Sequence, residues 1–208
     1  MTVVQPSKIV CVGRNYAAHA RELGNEVPKY PLLFFKPPSS LIGSGDAIVM
    51  PAVSQQVEYE SEIAIVIGQR ARKVPEADAE RHIRGFTCAN DVTCRDLQKV
   101  DGQWARAKGF DTFCAVGPVV AERLDWKSLE VIGRVNGEER QRGASRDMIF
   151  TIPSLVSYIS HIMTLEPGDL ILTGTPEGVG KLAPGDVVEV EVPGIGVLRN
   201  PVQAEGTG

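Results

Sequence analysis

The 208 residues, 43% hydrophobic and 23% charged, are enough for a sizeable core without disulfide staples, which excludes wholesale disorder. Lys and Arg number 22 against 26 Asp and Glu, a formal charge of −4 with no basic stripe, which argues against a nucleic-acid partner. Twenty-one glycines and 14 prolines favour many turns and short strands over a helical bundle. Cys11, Cys88, Cys94 and Cys114 form no C-x-x-C pair and no zinc-finger spacing with His, so they read as buried small hydrophobes in a reduced, cytoplasmic protein. The start of the chain lacks a leader pattern, and no apolar run approaches the ~18 residues of a membrane span, so no membrane partner is expected.

In chain order, Ser7–Val12 reads as a short strand ending at Gly13. Leu32–Lys36 and Ala47–Met50 follow, stopped by Pro37 and Pro51. Glu58–Ile67 is the clearest strand: Ile63, Ile65 and Ile67 alternate with Ala64 and Val66. Pro75–Arg84 predicts a helix closed by Gly85, and Phe86–Asn90 another strand. Leu129–Val135 and Glu138–Gln141 flank Asn136 and Gly137, a hairpin signal because both residues tolerate positive φ. Ile152–Met163 is the best helix, with Leu155, Val156 and Ile159 on one face and Thr151 as its cap. Leu170–Leu172, Val187–Val192 and Val197–Leu198 complete the strands. The expected fold is predominantly β with about three helices.

Glu58, Glu60 and Glu62 recur at i, i+2 and i+4, which on a strand puts them on one face. If that face is buried, three like charges must repel or take up protons, unless a divalent cation removes the conflict. Oxygen-only ligands suit Mg2+, Mn2+ or Ca2+. If the face is exposed, the same pattern is an edge strand protected from aggregation. Asp91, at the end of Phe86–Asn90, is either a third ligand or a turn aspartate; Asp96 reads as a capping or salt-bridging residue.

Several segments resemble, in order, the fumarylacetoacetate hydrolase family: Gly13-Arg-Asn-Tyr16 with His19-Ala-Arg-Glu22, Phe34-Phe-Lys-Pro37, Glu60-Ser-Glu62, Asn90-Asp91, Arg95-Asp-Leu-Gln98, Ala107-Lys-Gly-Phe-Asp-Thr112, Val135-Asn-Gly137 and Leu172-Thr-Gly-Thr-Pro-Glu-Gly-Val-Gly180. The resemblance spans nearly the whole chain. It implies an α+β mixed β-sandwich roll, one catalytic domain over residues 1–208, no N-terminal SH3-like domain, and a homodimer. It also implies roles. Glu60, Glu62 and Asp91 match metal ligands for Mg2+ or Mn2+, with Ca2+ also admitted, and Glu58 falls outside that set. His19 and Glu22 match a catalytic dyad on a mobile lid of about residues 14–30. Lys108 faces the substrate, Gln98 and Thr175 contact it, and Arg14 and Lys36 occupy family motifs.

The residue chemistry is compatible with those roles. His19 and Glu22, at i and i+3, meet if Ala17–Leu23 is helical, and the carboxylate then fixes the imidazole tautomer. Lys108 can supply donors to a developing enolate, and the Thr175 loop can bring backbone amides to a small anion. His82 and His161 receive no role. The implied reaction is metal-dependent hydrolysis of a C–C bond in a 3-acylpyruvate-type 2-oxo acid, with decarboxylation of oxaloacetate through the same enolate. An isomerase/decarboxylase of aromatic meta-cleavage catabolism is the alternative among enzymes. A non-catalytic, metal-dependent binding protein for small acids is the alternative outside them. Two departures from the family pattern stand out: Gly109 after the lysine, where Ser is common, and Ser61 between the glutamates.

Overall fold

A computed structural model describes residues 4–206. The strands are β1 (Ile9–Gly13), β2 (Leu32–Lys36), β3 (Leu41–Ile42), β4 (Ile48–Met50), β5 (Val57–Tyr59), β6 (Ser61–Ile67), β7 (Ile83–Asp91), β8 (Thr93–Cys94), β9 (Cys114–Ala121), β10 (Glu130–Val135), β11 (Glu138–Ala144), β12 (Leu170–Leu172), β13 (Gly180–Lys181), β14 (Val187–Val192) and β15 (Gly196–Ala204). The helices are α1 (Ala17–Glu22), α2 (Arg95–Val100), α3 (Ala105–Gly109) and α4 (Ile152–Ile162). The fold is mostly β, as expected.

Seven strands form a mixed sheet in the order β2-β1-β12-β6-β7-β9-β3, five form β11-β10-β14-β15-β4, and three form β13-β5-β8. Strand alternation sorts β6 between two cores. Ile63, Ile65 and Ile67 join Leu155, Val156 and Ile159 of α4 and Val190 of β14 in the larger core. Ala64 and Val66 face the other way, into a core with Ile9, Cys11, Cys114 and Val116. The large sheet curls around this second core, so that Lys36 of β2 reaches Asp91 of β7. All four cysteines are free and buried.

Two predicted elements are corrected. Glu58–Ile67 is not one strand: β5 pairs with β8 and β13, β6 pairs with β7 and β12, and Glu60 lies between them. Side-chain pairing takes over there, because Glu60 N donates to Asn90 Oδ1 at 3.0 Å. The helix predicted over Pro75–Arg84 is a 3-10 turn, Glu76–His82, and Ile83 already begins β7 opposite Ile67. Gly85 does not close a helix. It lies inside β7, where a Cβ would sit 2.3 Å from the carbonyl oxygen of Ala121, so only glycine fits.

Other expectations hold. The β10–β11 turn has φ of 54° at Asn136 and 80° at Gly137. Thr151 Oγ1 accepts from Ser154 N at 3.3 Å and caps α4. The last strand is longer than Val197–Leu198 because it adds β4 as a parallel neighbour through Val202–Ala204. No helix among the described residues is long and apolar enough to cross a membrane.

Candidate active site

β6, β7 and α3 meet where the curled sheet closes. Carboxylate oxygens from Glu60, Glu62 and Asp91, all buried, lie within 4.8 Å of one another. Glu62 projects from β6 toward this point, and Asp91 ends β7. The exposed-edge reading of the glutamates is overturned, because Glu58, Glu60 and Glu62 are at most 6% exposed.

Cations surround the cluster. Lys108 Nζ donates to Glu60 Oε2 at 2.9 Å and to Asp91 Oδ2 at 2.7 Å. Lys36 Nζ donates to Asp91 Oδ1 at 2.6 Å and to the Val92 carbonyl at 3.0 Å. Arg95 bridges Glu58 at 2.8 Å and Glu60 at 2.6 Å. Glu58 is therefore a counter-charge for Arg95 and stands outside the triad. Four carboxylates face three cations, and the deficit falls on Glu62.

Burial pushes the Glu62 carboxyl well above its ordinary range, and the charges of Asp91 and Glu60 push it further. Burial acts the same way on Glu60, but Lys108, Arg95 and His19 outweigh it and hold that carboxyl low. Lys108 stays charged: desolvation disfavours its ammonium, and Asp91 and Glu60 more than compensate. Glu62 therefore keeps its charge only with a further cation. An all-oxygen donor set suits a hard divalent ion, so the residues present fit Mg2+ or Mn2+.

The cleft above the cluster is lined by Arg14, His19, Gln98, Trp104, Lys108 and Thr175, among others. Eight of the nine predicted site residues thus line the cleft or the carboxylate cluster. The ninth, Glu22, reaches it through His19: its Oε2 lies 3.1 Å from Nδ1 of the buried imidazole. The α1 helix over Ala17–Glu22 brings the two together as their spacing predicts.

The glycine loop after β12 works differently from the expectation. Its amides hold the protein's own carboxylates: Gly174 N donates to Glu62 Oε2 at 2.7 Å, and Gly178 N to Glu22 Oε1 at 2.9 Å. Thr175 Oγ1 donates to the Ser61 carbonyl at 2.9 Å and accepts from Gln141 at 2.8 Å. Its hydroxyl proton goes to the protein, while Thr175 itself lines the cleft. Gln98 has its carbonyl engaged by Arg95 and keeps its amide N–H groups for the cleft. Asp96 accepts from Leu97 N at 2.9 Å in the first turn of α2 and from Ser54 Oγ at 2.7 Å.

The charge partners were not assigned: Lys36, placed only in a family motif, reaches the cluster through the curl of the sheet, and Arg95 reaches it from the start of α2, just after Asp91. A further contributor was missed. Gln141, fully buried on β11, uses every near bond it has: Oε1 accepts from Ser61 N at 2.9 Å, and Nε2 donates to Thr175 Oγ1 and the Pro176 carbonyl, both at 2.8 Å. It ties the backbone between the two glutamates to the loop that holds Glu62. Burial of a polar residue in an otherwise charged hairpin strand has no local sequence signal. The departures also find reasons. Gly109 lets α3 press on Pro37, where a Cβ would stand 3.2 Å from Cδ. Ser61 points away from the cluster against Gly133, where a Cβ would lie 2.3 Å from its Oγ, and that Oγ has no hydrogen-bond partner among the described residues.

A sequence profile of the fumarylacetoacetate (FAA) hydrolase C-terminal family matches residues 8–203. "Oxaloacetate tautomerase FAHD1, mitochondrial" of Arabidopsis thaliana is 48% identical over 205 residues, covering 96% of this chain and 92% of that protein. The crystal structure of 5-carboxymethyl-2-hydroxymuconate delta-isomerase from Mycobacterium smegmatis superposes with a TM-score of 0.92 at 48% identity, covering 98% of this chain and 81% of that one. Fumarylpyruvate hydrolase from Pseudomonas aeruginosa, in complex with Mn2+ and pyruvate, gives 0.91 at 32% identity, covering 97% and 91%. The chain belongs to the fumarylacetoacetate hydrolase family of enzymes.

Proposed function

We propose that this chain is a divalent-metal-dependent enzyme of small 2-oxo acids, and that proton transfer between their keto and enol forms, as in oxaloacetate, is the reaction its site supports best. The observation that carries the reading is the buried His19, its Nδ1 held by Glu22, lining the same cleft as Glu60, Glu62 and Lys108. A Mg2+ or Mn2+ ion bound by Glu60, Glu62 and Asp91 supplies Lewis-acid stabilisation of negative charge on the substrate's oxygens.

With Nδ1 facing Glu22, Nε2 is the nitrogen free to exchange a proton. His19 takes a proton from C3 of the 2-oxo acid and returns it to the enolate oxygen at C2. Glu22 stabilises the imidazolium in between. Lys108 has two of its three N–H groups on Glu60 and Asp91 and turns the third to the enolate oxygen. Arg95 and the amide of Gln98 receive the 2-oxo carboxylate. Residues of about 14–30 act as the lid, and the bond from Gly178 N to Glu22 is its latch.

The second reading is C–C hydrolysis of a 3-acylpyruvate, favoured by the fumarylpyruvate hydrolase likeness. There His19 deprotonates water, which adds to the carbonyl at C4. The C3–C4 bond breaks, its electron pair enters the pyruvate enolate, and C3 is then protonated. Decarboxylation of oxaloacetate reaches the same enolate without water.

The test compares oxaloacetate and acetylpyruvate with wild type and His19→Ala. Enol equilibration and pyruvate release are followed separately, with Mg2+-only blanks subtracted. We expect enol equilibration of oxaloacetate to fall about 10²–10⁴-fold in the variant. Pyruvate release from acetylpyruvate at a comparable rate makes hydrolysis the main activity. Wild-type and variant rates that coincide remove His19 from the chemistry.

A further inference from the structure

Tyr59 is the residue before Glu60, and strand alternation sends the two in opposite directions. Glu58 and Glu60 both turn to Arg95, on the side of the cleft. Tyr59 turns the other way, is 4% exposed, and sets its ring in a separate core with Val57, Phe113 and Leu182. Its hydroxyl leaves that core and donates to the Gly178 carbonyl at 2.9 Å.

Gly178 is the residue whose amide holds Glu22. Its φ of 95° and its approach to β11, where a Cβ would lie 2.0 Å from the Arg140 carbonyl oxygen, admit only glycine. With the β11 backbone behind it and Tyr59 on its carbonyl, its N–H is aimed at Glu22 Oε1, 2.9 Å away. Gly180, opposite Tyr59 in the β5–β13 pair, leaves room for the phenol: a Cβ there would stand 3.1 Å from the hydroxyl oxygen.

Glu22 needs this support. The α1 helix is six residues long, too short to hold its own shape in water. The Glu22 side chain is 31% exposed, and among the described residues only Gly178 N and His19 bond to it. A carboxylate so placed gains rotamer freedom by swinging to solvent, unless something outside the helix holds it.

We infer that Tyr59 is a positioning residue for the His19–Glu22 pair, acting through Gly178. This rests on the proposed role of that pair in proton transfer and adds the residue that sets its geometry. The contacts run from Tyr59 Oη to Gly178, from Gly178 to Glu22 and from Glu22 to Nδ1 of His19. Neighbouring residues thus serve two ends of the site: Glu60 faces the carboxylate cluster, and Tyr59 supports the proton-transfer pair.

The experiment uses the Mg2+-loaded full chain with Tyr59→Phe, Glu22→Ala and the double variant. Phe keeps the ring in its core, and the Tyr59–Gly178 contact borders a surface groove where water can replace the phenol, so melting temperature and Mn2+ affinity should match wild type. In Tyr59→Phe, kcat for enol equilibration of oxaloacetate should fall about 3- to 10-fold, the effect of one hydrogen bond, with KM unchanged. In the Glu22→Ala background the same change should have no further effect, because its route runs through Glu22. The chain has three histidines, so the imidazole signals of isotope-labelled histidine are followed one by one by NMR. The His19 signal should shift in Tyr59→Phe, while those of His82 and His161, which do not line the cleft, stay in place. Losses that add in the double variant, or a His19 signal that does not move, overturn the inference while the 2-oxo acid reading stands. Mn2+ affinity and melting temperature that fall together in Tyr59→Phe make the residue part of the framework alone, and overturn it too. A wild type inert to oxaloacetate overturns the proposed chemistry, and the His19 signal then decides the inference by itself.

Discussion

Two places in this protein bury carboxylates, and they do so in opposite ways. Asp169, just ahead of β12, is fully buried and surrounded by donors. Its Oδ1 accepts from Ser7 N at 2.9 Å, Ser7 Oγ at 2.7 Å and Lys8 N at 3.1 Å, its Oδ2 accepts from Glu166 N at 2.8 Å, and Lys8 Nζ pairs with it. Burial works against its charge, but the bonds from Glu166, Lys8 and Ser7 outweigh it and hold the carboxyl below its ordinary value of 3.8. Glu62 has a single backbone donor, Gly174 N, and two like-charged neighbours. One arrangement is complete in itself and pins the N-terminal segment to the turn before β12. The other leaves Glu62 short of positive partners, as the proposed cation site requires. Counting donors around a buried carboxylate therefore separates a structural group from a ligand-binding one.

That contrast breaks down if the two kinds of site respond alike to mutation. The largest effect is expected at Asp91. Asp91→Ala removes a proposed ligand and leaves Lys36 and Lys108 facing each other, so Mn2+ affinity by calorimetry should drop by more than the about 10–100-fold typical of supporting residues. Loss of a buried partner should also destabilise the fold by about 3–5 kcal/mol in urea titrations. Asp169→Asn should cost about 2–4 kcal/mol while leaving Mn2+ affinity within about twofold.

The Asp169 effect also has a pH signature. Its folded pKa is depressed, so its stabilisation is present above the unfolded value near 3.8 and is lost as pH falls through the folded one. The stability gap between wild type and Asp169→Asn should therefore be constant near neutrality and close below about pH 4. Gln141→Met keeps the volume but cuts three buried bonds, so Mn2+ affinity should fall about 10–100-fold. Gln141→Glu, which keeps the acceptor for Ser61 N, should recover part of it. The smallest effect carries the opposite sign. Glu62→Gln replaces a carboxyl that burial and its like-charged neighbours already drive toward the neutral form, so it should leave the metal-free protein as stable as wild type or up to about 1 kcal/mol more so, while weakening Mn2+ binding. Destabilisation of Glu62→Gln to the extent of Asp169→Asn would erase the distinction between the two regions.

Much of this was legible from residues alone. The alternation of Ile63, Ile65 and Ile67, the Asn136–Gly137 turn and the capped α4 helix are local patterns, and local physics decides them. The i, i+2 spacing raised the possibility of a cation site at Glu60 and Glu62, but on a wrong premise of one continuous strand, since Glu60 sits at a switch between two sheets. Asp91 was left between a third ligand and a turn residue, and the family likeness resolved it and brought in His19 and Lys108, which lie far apart in the chain. Lys36 and Arg95 stood in family motifs without an assigned partner, and Gln141 carried no signal at all, because its neighbours are set by how the strands pack. Thr175 was foreseen at the site, yet its hydroxyl proton goes to the Ser61 carbonyl, a register detail that no motif conveys.

The proposed enol chemistry on a 2-oxo acid depends on a cation held by Glu60, Glu62 and Asp91. The most direct test is the ultraviolet enol absorbance of oxaloacetate, followed with wild-type protein in Mg2+, after chelator, and after Mg2+ is restored. Fast keto–enol equilibration above the Mg2+ blank is expected, with its loss in chelator and its return with the ion. Equilibration that persists in chelator, or that never exceeds the blank, contradicts it.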